Sequence, residues 1–291
     1  MSTQEKQHTA DLVRRVSVGS VSGLDFKNPK VQMLRRLLAE RAARHEMGSF
    51  VIEGPVSTAE AVRAGLVCRS QFAPEGSTAW IEGGGAHVEL AAGVLERVGS
   101  TKRPQAPLTV AEMPRHDVAA VLASAAFAVV LHGVSDPGNL GTIVRSAEAA
   151  GAGVIVLTPG SVDPYNPKVV RASASAIFHV PVVEATLETV DAAGLLLVGT
   201  SSHDFLGRSV VDHTEADLTG RIALVLGNEA AGLPDHWNDE VGPIHRWLTI
   251  RHRGRSESLN VAMAATVLVF EAARQRSIGP EGPAVVGVNE T

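Results

Sequence analysis

Three stretches of this 291-residue chain gather side chains that can do chemistry. The first is His132-Gly133-Val134-Ser135-Asp136-Pro137-Gly138-Asn139-Leu140-Gly141-Thr142-Ile143-Val144-Arg145. The second is Leu226-Gly227-Asn228-Glu229-Ala230-Ala231-Gly232-Leu233-Pro234. The third runs from Ile250 to Asn260 and includes Gly254-Arg255-Ser256-Glu257-Ser258-Leu259-Asn260. Gly227 ends an apolar run and lets a ligand approach the main chain closely. Asn139 can cap the helix that follows it. Glu229 stands at an expected helix start, where exposed amides favour a carboxylate. Ser256 or Ser258 can cap the last helix. Arg251, Arg253 and Arg255, with His252 between the first two, form a cationic patch in a chain of net charge −5. Such a patch beside a glycine-shaped pocket suits a phosphodiester. Each feature also has a plain structural reading: a surface arginine, a capping carboxylate, a capped helix behind a basic loop.

The elements that must position these loops are legible as apolar runs. Phe127–His132, Val154–Leu157, Val180–Val183, Leu195–Val198, Ile222–Leu226 and Trp247–Ile250 are of strand length. Between them the spacing predicts helices over Leu140–Ala150, Lys168–Ala176 and Ser258–Gln275. Continuous apolar strands alternating with helices predict an α/β fold with a parallel sheet covered on both faces. In such sheets, sites lie beyond the carboxyl ends of strands, and all three loops follow a strand. The first loop lacks the Gly-x-Gly-x-x-Gly spacing, which argues against a dinucleotide-binding enzyme.

The first third of the chain reads as a smaller α/β unit. Residues 1–24 read as a flexible arm and 278–291 as a disordered tail. After Asn28-Pro29-Lys30, Val31, Leu34, Leu37 and Leu38 fall at helical spacing, with Arg35, Arg36, Arg41 and Arg44 on a basic outer side. Arg35 and Arg36 are candidates for gripping RNA. Phe50–Gly54 reads as a strand, Thr58–Ala64 as a helix capped by Ser57, and Val67–Ala73 as further strand. Pro104, Pro107 and Pro114 predict a linker between about 100 and 120. The expected units are therefore 25–110 and 120–277.

Composition removes other classes. With 45% hydrophobic and 20% charged residues the chain is not disordered overall. No apolar run has the roughly 18 residues of a membrane span, and no hydrophobic leader opens the chain, so a cytoplasmic protein is expected. The single cysteine, Cys68, excludes a disulfide scaffold, and the 11 histidines show no metal-site spacing.

Taken together, Asn139-x-Gly141-x-x-x-Arg145, Gly227-Asn228-Glu229-x-x-Gly232-Leu233 and Ser258-Leu259-Asn260 resemble the three signature motifs of the SpoU (TrmH) family of SPOUT-class RNA 2′-O-ribose methyltransferases. The first unit is similar to the L30e-like RNA-binding domain often fused to this class. The resemblance implies a deep trefoil knot formed by the second and third loops, and a homodimer whose active site lies at the subunit interface. It implies S-adenosylmethionine as methyl donor and no metal. By matching motif positions, Leu226, Gly227, Gly232, Ile250 and Leu259 would hold the donor. Arg145 would assist deprotonation of the ribose hydroxyl, by stabilising the alkoxide or through the RNA phosphate, because an arginine of ordinary pKa is a poor base. Asn139, Glu229, Ser258 and Asn260 would hold that arginine and the ribose. Arg251, Arg253 and Arg255 would add phosphate contacts. The substrate would be 23S ribosomal RNA or transfer RNA.

Two positions depart from the family pattern. Ile250-Arg251-His252 stands where Ile-Pro-Met is usual, and Ala230 stands where many members have glycine. The first alters a loop of the donor pocket. It supports an alternative reading, a non-catalytic RNA-binding or ribosome-assembly protein that keeps the fold.

Overall fold

The computed structural model describes residues 23–201, 209–239, 241–255 and 258–277. Most of the expected arm, the expected tail, and Ser256 lie outside them. Leu24, from the end of the expected arm, is tied to the fold by its amide, 2.7 Å from the Glu89 carbonyl.

Asn28 starts the first helix, accepting the Lys30 amide at 3.0 Å, with Pro29 at the position where no donor is needed. The basic stretch forms two helices, α1 (Pro29–Ala39) and α2 (Arg41–Met47), because Glu40 is extended. Val31, Leu34, Leu37 and Leu38 are buried as their spacing predicts. Arg44 is not on the outer side. It is 2% exposed, its Nε 2.6 Å from Asp163 Oδ2 and its Nη1 2.7 Å from the Leu37 carbonyl.

Next come β1 (Ser49–Glu53), α3 (Pro55–Arg63), β2 (Cys68–Pro74), β3 (Ala86–Leu90), α4 (Val94–Val98) and β4 (Leu108–Glu112). Helix α3 begins earlier than expected: Gly54, at φ 91°, turns the chain into Pro55, and Ser57 lies inside the helix rather than capping it. The sheet order is β1-β4-β2-β3, with β4 antiparallel to both neighbours and β2 parallel to β3. Strand β4 falls inside the interval read as a linker. The prolines flank it, and Leu108–Glu112 between them pairs on both edges. Helix α5 (Val118–Ser124), capped by Asp117, follows almost at once.

The second sheet comprises β5 (Phe127–Leu131), β6 (Val154–Leu157), β7 (Val182–Glu184), β8 (Leu196–Thr200), β9 (Val210–Asp212), β10 (Ile222–Leu226) and β11 (Arg246–Thr249). Its helices are α6 (Pro137–Ala149), α7 (Pro167–Ala172), α8 (Leu187–Ala192) and α9 (Val261–Ser277). The order is β7-β6-β5-β10-β8-β11-β9, and every neighbouring pair is parallel. Both faces are covered: Phe127, Val129 and Leu131 enter one core, Ala128 and Val130 the other. The helix expected over Lys168–Ala176 stops at Ala172, because Ala174 and Ser175 take positive φ before a short 3₁₀ turn.

The two sheets share a core. Phe50, Ile52 and Ala61 belong to the same buried cluster as Tyr165, Val169 and Val170. The Phe50 ring lies 4.8 Å from that of Tyr165. Burial, with the nearby charge of Asp163, pushes the Tyr165 phenol up to about 12.

Candidate active site

Strands β5 and β10 end side by side, Leu131 opposite Leu226, so the loops that follow them meet at one edge of the sheet. Gly227 leaves β10 into a closed turn in which Asn228 and Gly232 exchange main-chain hydrogen bonds of 3.1 and 3.0 Å. The turn requires its glycines. Gly232 has φ +68°, and a Cβ on Gly227 would lie 2.2 Å from the Gly232 carbonyl carbon. The Asn228 side chain ties the turn together: Oδ1 accepts the Ala230 and Ala231 amides at 2.9 and 3.1 Å, and Nδ2 donates to the Gly133 carbonyl at 2.8 Å.

Glu229 is in this turn, not at the start of a helix. The helix end it meets is that of α6. Its carboxylate accepts the Asp136 amide at 3.2 Å and the Ser135 amide and hydroxyl at 3.4 Å, all just before Pro137. It also accepts Asn139 Nδ2 at 3.0 Å. Burial pushes the Glu229 carboxyl up, but the Asn139 amide and the main-chain donors outweigh it, and the group lies below the ordinary glutamate value.

Asn139 is not the cap of α6. Asp136 is, accepting the Asn139 amide at 2.8 Å. That leaves the Asn139 side chain free to bridge. Its Nδ2 meets Glu229 and its Oδ1 accepts Asn260 Nδ2 at 3.1 Å. Asn260, rather than Ser258, caps α9: Oδ1 accepts the Ala262 and Met263 amides at 2.9 and 3.3 Å. One hydrogen-bonded line, Glu229–Asn139–Asn260, thus joins the three loops.

Glu229, at one end of the line, borders a cavity of about 320 Å³, whereas Asn139 and Asn260 stand behind its wall. Leu226, Gly227, Gly232, Ile250 and Leu259 all line it, as do Glu229 and Ser258. Leu248 and Leu268 extend its apolar wall. His252, at the altered position of the third loop, also faces the cavity.

Other expected residues lie elsewhere. Arg145 follows Asn139 by six positions, which at about 3.6 residues per turn puts it on another side of α6. It is exposed and its side chain makes no hydrogen bond or ion pair among the described residues. Arg35 and Arg36 are on the first sheet's helices. Arg36 is already paired with Glu40 and Glu46, each at 3.3 Å. Arg251 is exposed, with Nε 3.4 Å from Asp212 Oδ2, and Arg253 and Arg255 are exposed.

Sequence reasoning assigned no role to Asp136, Ser135 or Asn228. The Asp136-Pro137 pair carried the signal, being the cap and first-turn combination that starts helices. His132 was likewise unassigned. Its ring lies 4.5 Å from Trp237, its Nδ1 3.1 Å from Thr158 Oγ1, and burial pushes its pKa down.

A parallel sheet with a ligand-sized cavity beyond its carboxyl ends, bordered by the Glu229 carboxylate and the Asn228 amide, is the arrangement of a small-molecule-binding α/β enzyme fold. The model of the SpoU rRNA Methylase family matches residues 126–270, and that of the MRM3-like substrate binding domain matches residues 28–109. The 23S rRNA (guanosine(2553)-2'-O)-methyltransferase RlmP of Bacillus subtilis is 30% identical over 250 residues, 84% of this chain and 96% of that protein. The 23S rRNA (uridine(2479)-2'-O)-methyltransferase of Streptomyces viridochromogenes is 31% identical, covering 87% of this chain and 92% of its own. The crystal structure of the SpoU methyltransferase AviRb from Streptomyces viridochromogenes, in complex with AdoMet, superposes with a TM-score of 0.75 at 29% identity over 86% of this chain and 98% of that one. The chain belongs to the SpoU rRNA methylase family.

Proposed function

We propose that this chain transfers the methyl group of S-adenosylmethionine to a ribose 2′-hydroxyl of 23S ribosomal RNA. The observation that carries the reading is the Glu229–Asn139–Asn260 line, which starts from the cavity wall at Glu229 and joins all three loops. The cavity suits the donor: its volume falls in the range of small-molecule sites, and it offers an apolar wall together with the main chain of two turns. Leu226, Gly227, Gly232, Ile250 and Leu259 would hold it. When bound, S-adenosylmethionine supplies an electrophilic methyl carbon on a sulfonium.

The chain's own residues do the rest. A ribose hydroxyl is a weak nucleophile that must shed its proton as it attacks. Arg145 supplies a fixed positive charge for the developing alkoxide or the adjoining phosphate. Glu229 stays a carboxylate and fixes the Asn139 amide, which with Asn260 and Ser258 orients the sugar. Alignment of oxygen, carbon and sulfur then supplies much of the rate.

In this reading residues 25–110 bind the substrate RNA, 120–277 carry out the transfer, and Arg251, Arg253 and Arg255 meet its phosphates. A ribosomal substrate implies a cytoplasmic enzyme, and no described helix is long and apolar enough to cross a membrane. The active form is a homodimer that completes the site with Arg145. Met263, Val267 and Phe270 support this, forming one exposed apolar row on α9. So does Ser146, next to Arg145, whose hydroxyl lies 2.8 Å from that of Thr266 on the same helix. The C-terminal turns are threaded as a trefoil knot. In support, β11 lies beyond β8 from β10, yet α9 returns to pack against β10 and α6.

The test is to incubate the protein with 23S rRNA or transfer RNA and methyl-labelled S-adenosylmethionine, then map the product. Label on a ribose 2′-oxygen of 23S rRNA is expected. Tight RNA binding without transfer would favour the assembly-factor reading. A Phe270→Glu variant sedimenting as a dimer would reject the α9 interface.

A further inference from the structure

The loop Ser100–Gln105 carries two exposed cations at its tip, Lys102 and Arg103, and neither has a hydrogen bond or ion pair among the described residues. The loop is nevertheless held firmly. Beneath it is Glu53, whose side chain is only 8% exposed. Glu53 Oε1 accepts the Thr101 hydroxyl and the Gln105 amide, both at 3.1 Å, and Oε2 accepts the Ser100 hydroxyl at 3.3 Å. From the other sheet, Arg171 Nη1 reaches the same carboxylate at 3.4 Å and also bonds Ser100 Oγ. A largely buried carboxylate is costly unless it is fully bonded. Here its bonds fix the position of an exposed dibasic tip.

Arg171 is on α7, one turn after Lys168. Lys168 Nζ lies 3.4 Å from Asp136 Oδ2, the cap of the helix that carries Asn139. The cations are therefore joined in one arc through Glu53 and α7. It begins at Lys102 and Arg103 on the loop before β4, passes Arg171 and ends at Lys168, bonded to the Asp136 whose amide Glu229 accepts. Nothing in this arc uses the basic helices α1 and α2 or the arginines of the third loop.

Resting on the methyltransferase reading, we propose that Lys102, Arg103 and Lys168 bind the phosphodiester backbone of the RNA strand that enters the active site, with Glu53 and Arg171 as positioning residues that hold the loop in register. Phosphate contacts of this kind set where a strand lies without reading its bases. They fix which sugar reaches the cavity.

The test uses the full chain and in vitro transcribed 23S rRNA, with affinity measured by filter binding from 50 to 300 mM KCl. Each lost phosphate contact should lower the salt slope by roughly 0.7–0.9 and affinity by roughly fivefold at physiological salt. Lys102→Ala/Arg103→Ala and, separately, Lys168→Ala should show these losses with S-adenosylmethionine affinity unchanged. Glu53→Gln should weaken RNA binding severalfold and reduce the salt slope. In the Lys102→Ala/Arg103→Ala background it should add no further loss, because it acts through those two side chains. A purely structural Glu53 would instead lower the melting temperature and leave the slope alone. Wild-type binding with unchanged slopes in the lysine and arginine variants would overturn the arc and leave the methyltransferase reading intact. Failure of the wild-type chain to methylate or bind RNA would overturn both.

Discussion

Glu229 and Asn139 are 90 positions apart in the chain and 3.0 Å apart in space, carboxylate to amide. The contact is possible because Asp136 relieves Asn139 of capping α6, while Asn228 holds the turn that presents Glu229. Three loops that are unremarkable singly become one polar assembly through this pair.

Replacing Glu229 by glutamine sets an amide donor against the Asn139 donor and the main-chain amides of Ser135 and Asp136. Hydrogen bonds to charged groups are worth about 1.5–3 kcal/mol, so methyl transfer should fall roughly 10- to 100-fold. Initial rates at saturating donor measure this. An unaltered rate would remove Glu229 from the site. The same variant reads out a pH effect. Native Glu229 releases its proton more readily than an unfolded glutamate. Its contribution to stability is therefore present above the unfolded value, about 4.3, and is lost as pH falls through the lower native value. The stability gap between wild type and Glu229→Gln should close on acidification across that window.

The Arg145 side chain is exposed and bonds to no described residue of its own chain. Arg145→Ala should therefore fold normally, with stability within about 0.5 kcal/mol of wild type. Methyl transfer should be lost, by roughly 100- to 1,000-fold or more, with S-adenosylmethionine affinity retained. Calorimetry together with single-turnover transfer separates the two. Full activity in the variant would exclude Arg145 from the chemistry.

Gly227→Ala places a methyl 2.2 Å from the main chain of Gly232, so the turn must open. Overpacking of this kind costs about 1–3 kcal/mol. Donor binding should be abolished and the denaturation midpoint lowered. Donor binding at wild-type strength would show that the turn is not part of the pocket.

Arg44 and Asp163 are 2% and 4% exposed and join the two sheets at 2.6 Å. Removing one partner of a buried pair leaves an uncompensated charge and costs about 3–5 kcal/mol. Asp163→Asn should lower stability by that order, measured by urea denaturation. A change under about 1 kcal/mol would mean that water reaches the pair.

The parallel sheet was legible because its strands, buried on both faces, are written as unbroken apolar runs such as Phe127–Leu131 and Ile222–Leu226. The three loops were legible because their glycines and amides serve main-chain geometry that few other residues permit. Strand β4 was obscured by the prolines around it, which mark turns but do not say what lies between them. Asp136 and Asn260 were passed over as caps because several capping residue types stand close together at both helix starts. Arg44 was assigned outward because helical spacing separates the faces of a helix but cannot say what second surface will cover the polar one. Contacts between the sheets, such as Glu53 with Arg171, leave no local pattern in the chain.

That shared core makes neither half an exchangeable module. With Phe50 packed against Tyr165 and Arg44 sealed over Asp163, a foreign recognition unit grafted before Val118 would leave a hydrophobic scar and a stranded carboxylate. Divergence of target choice in such a chain is confined to its rims, where loops can change without breaking the weld beneath.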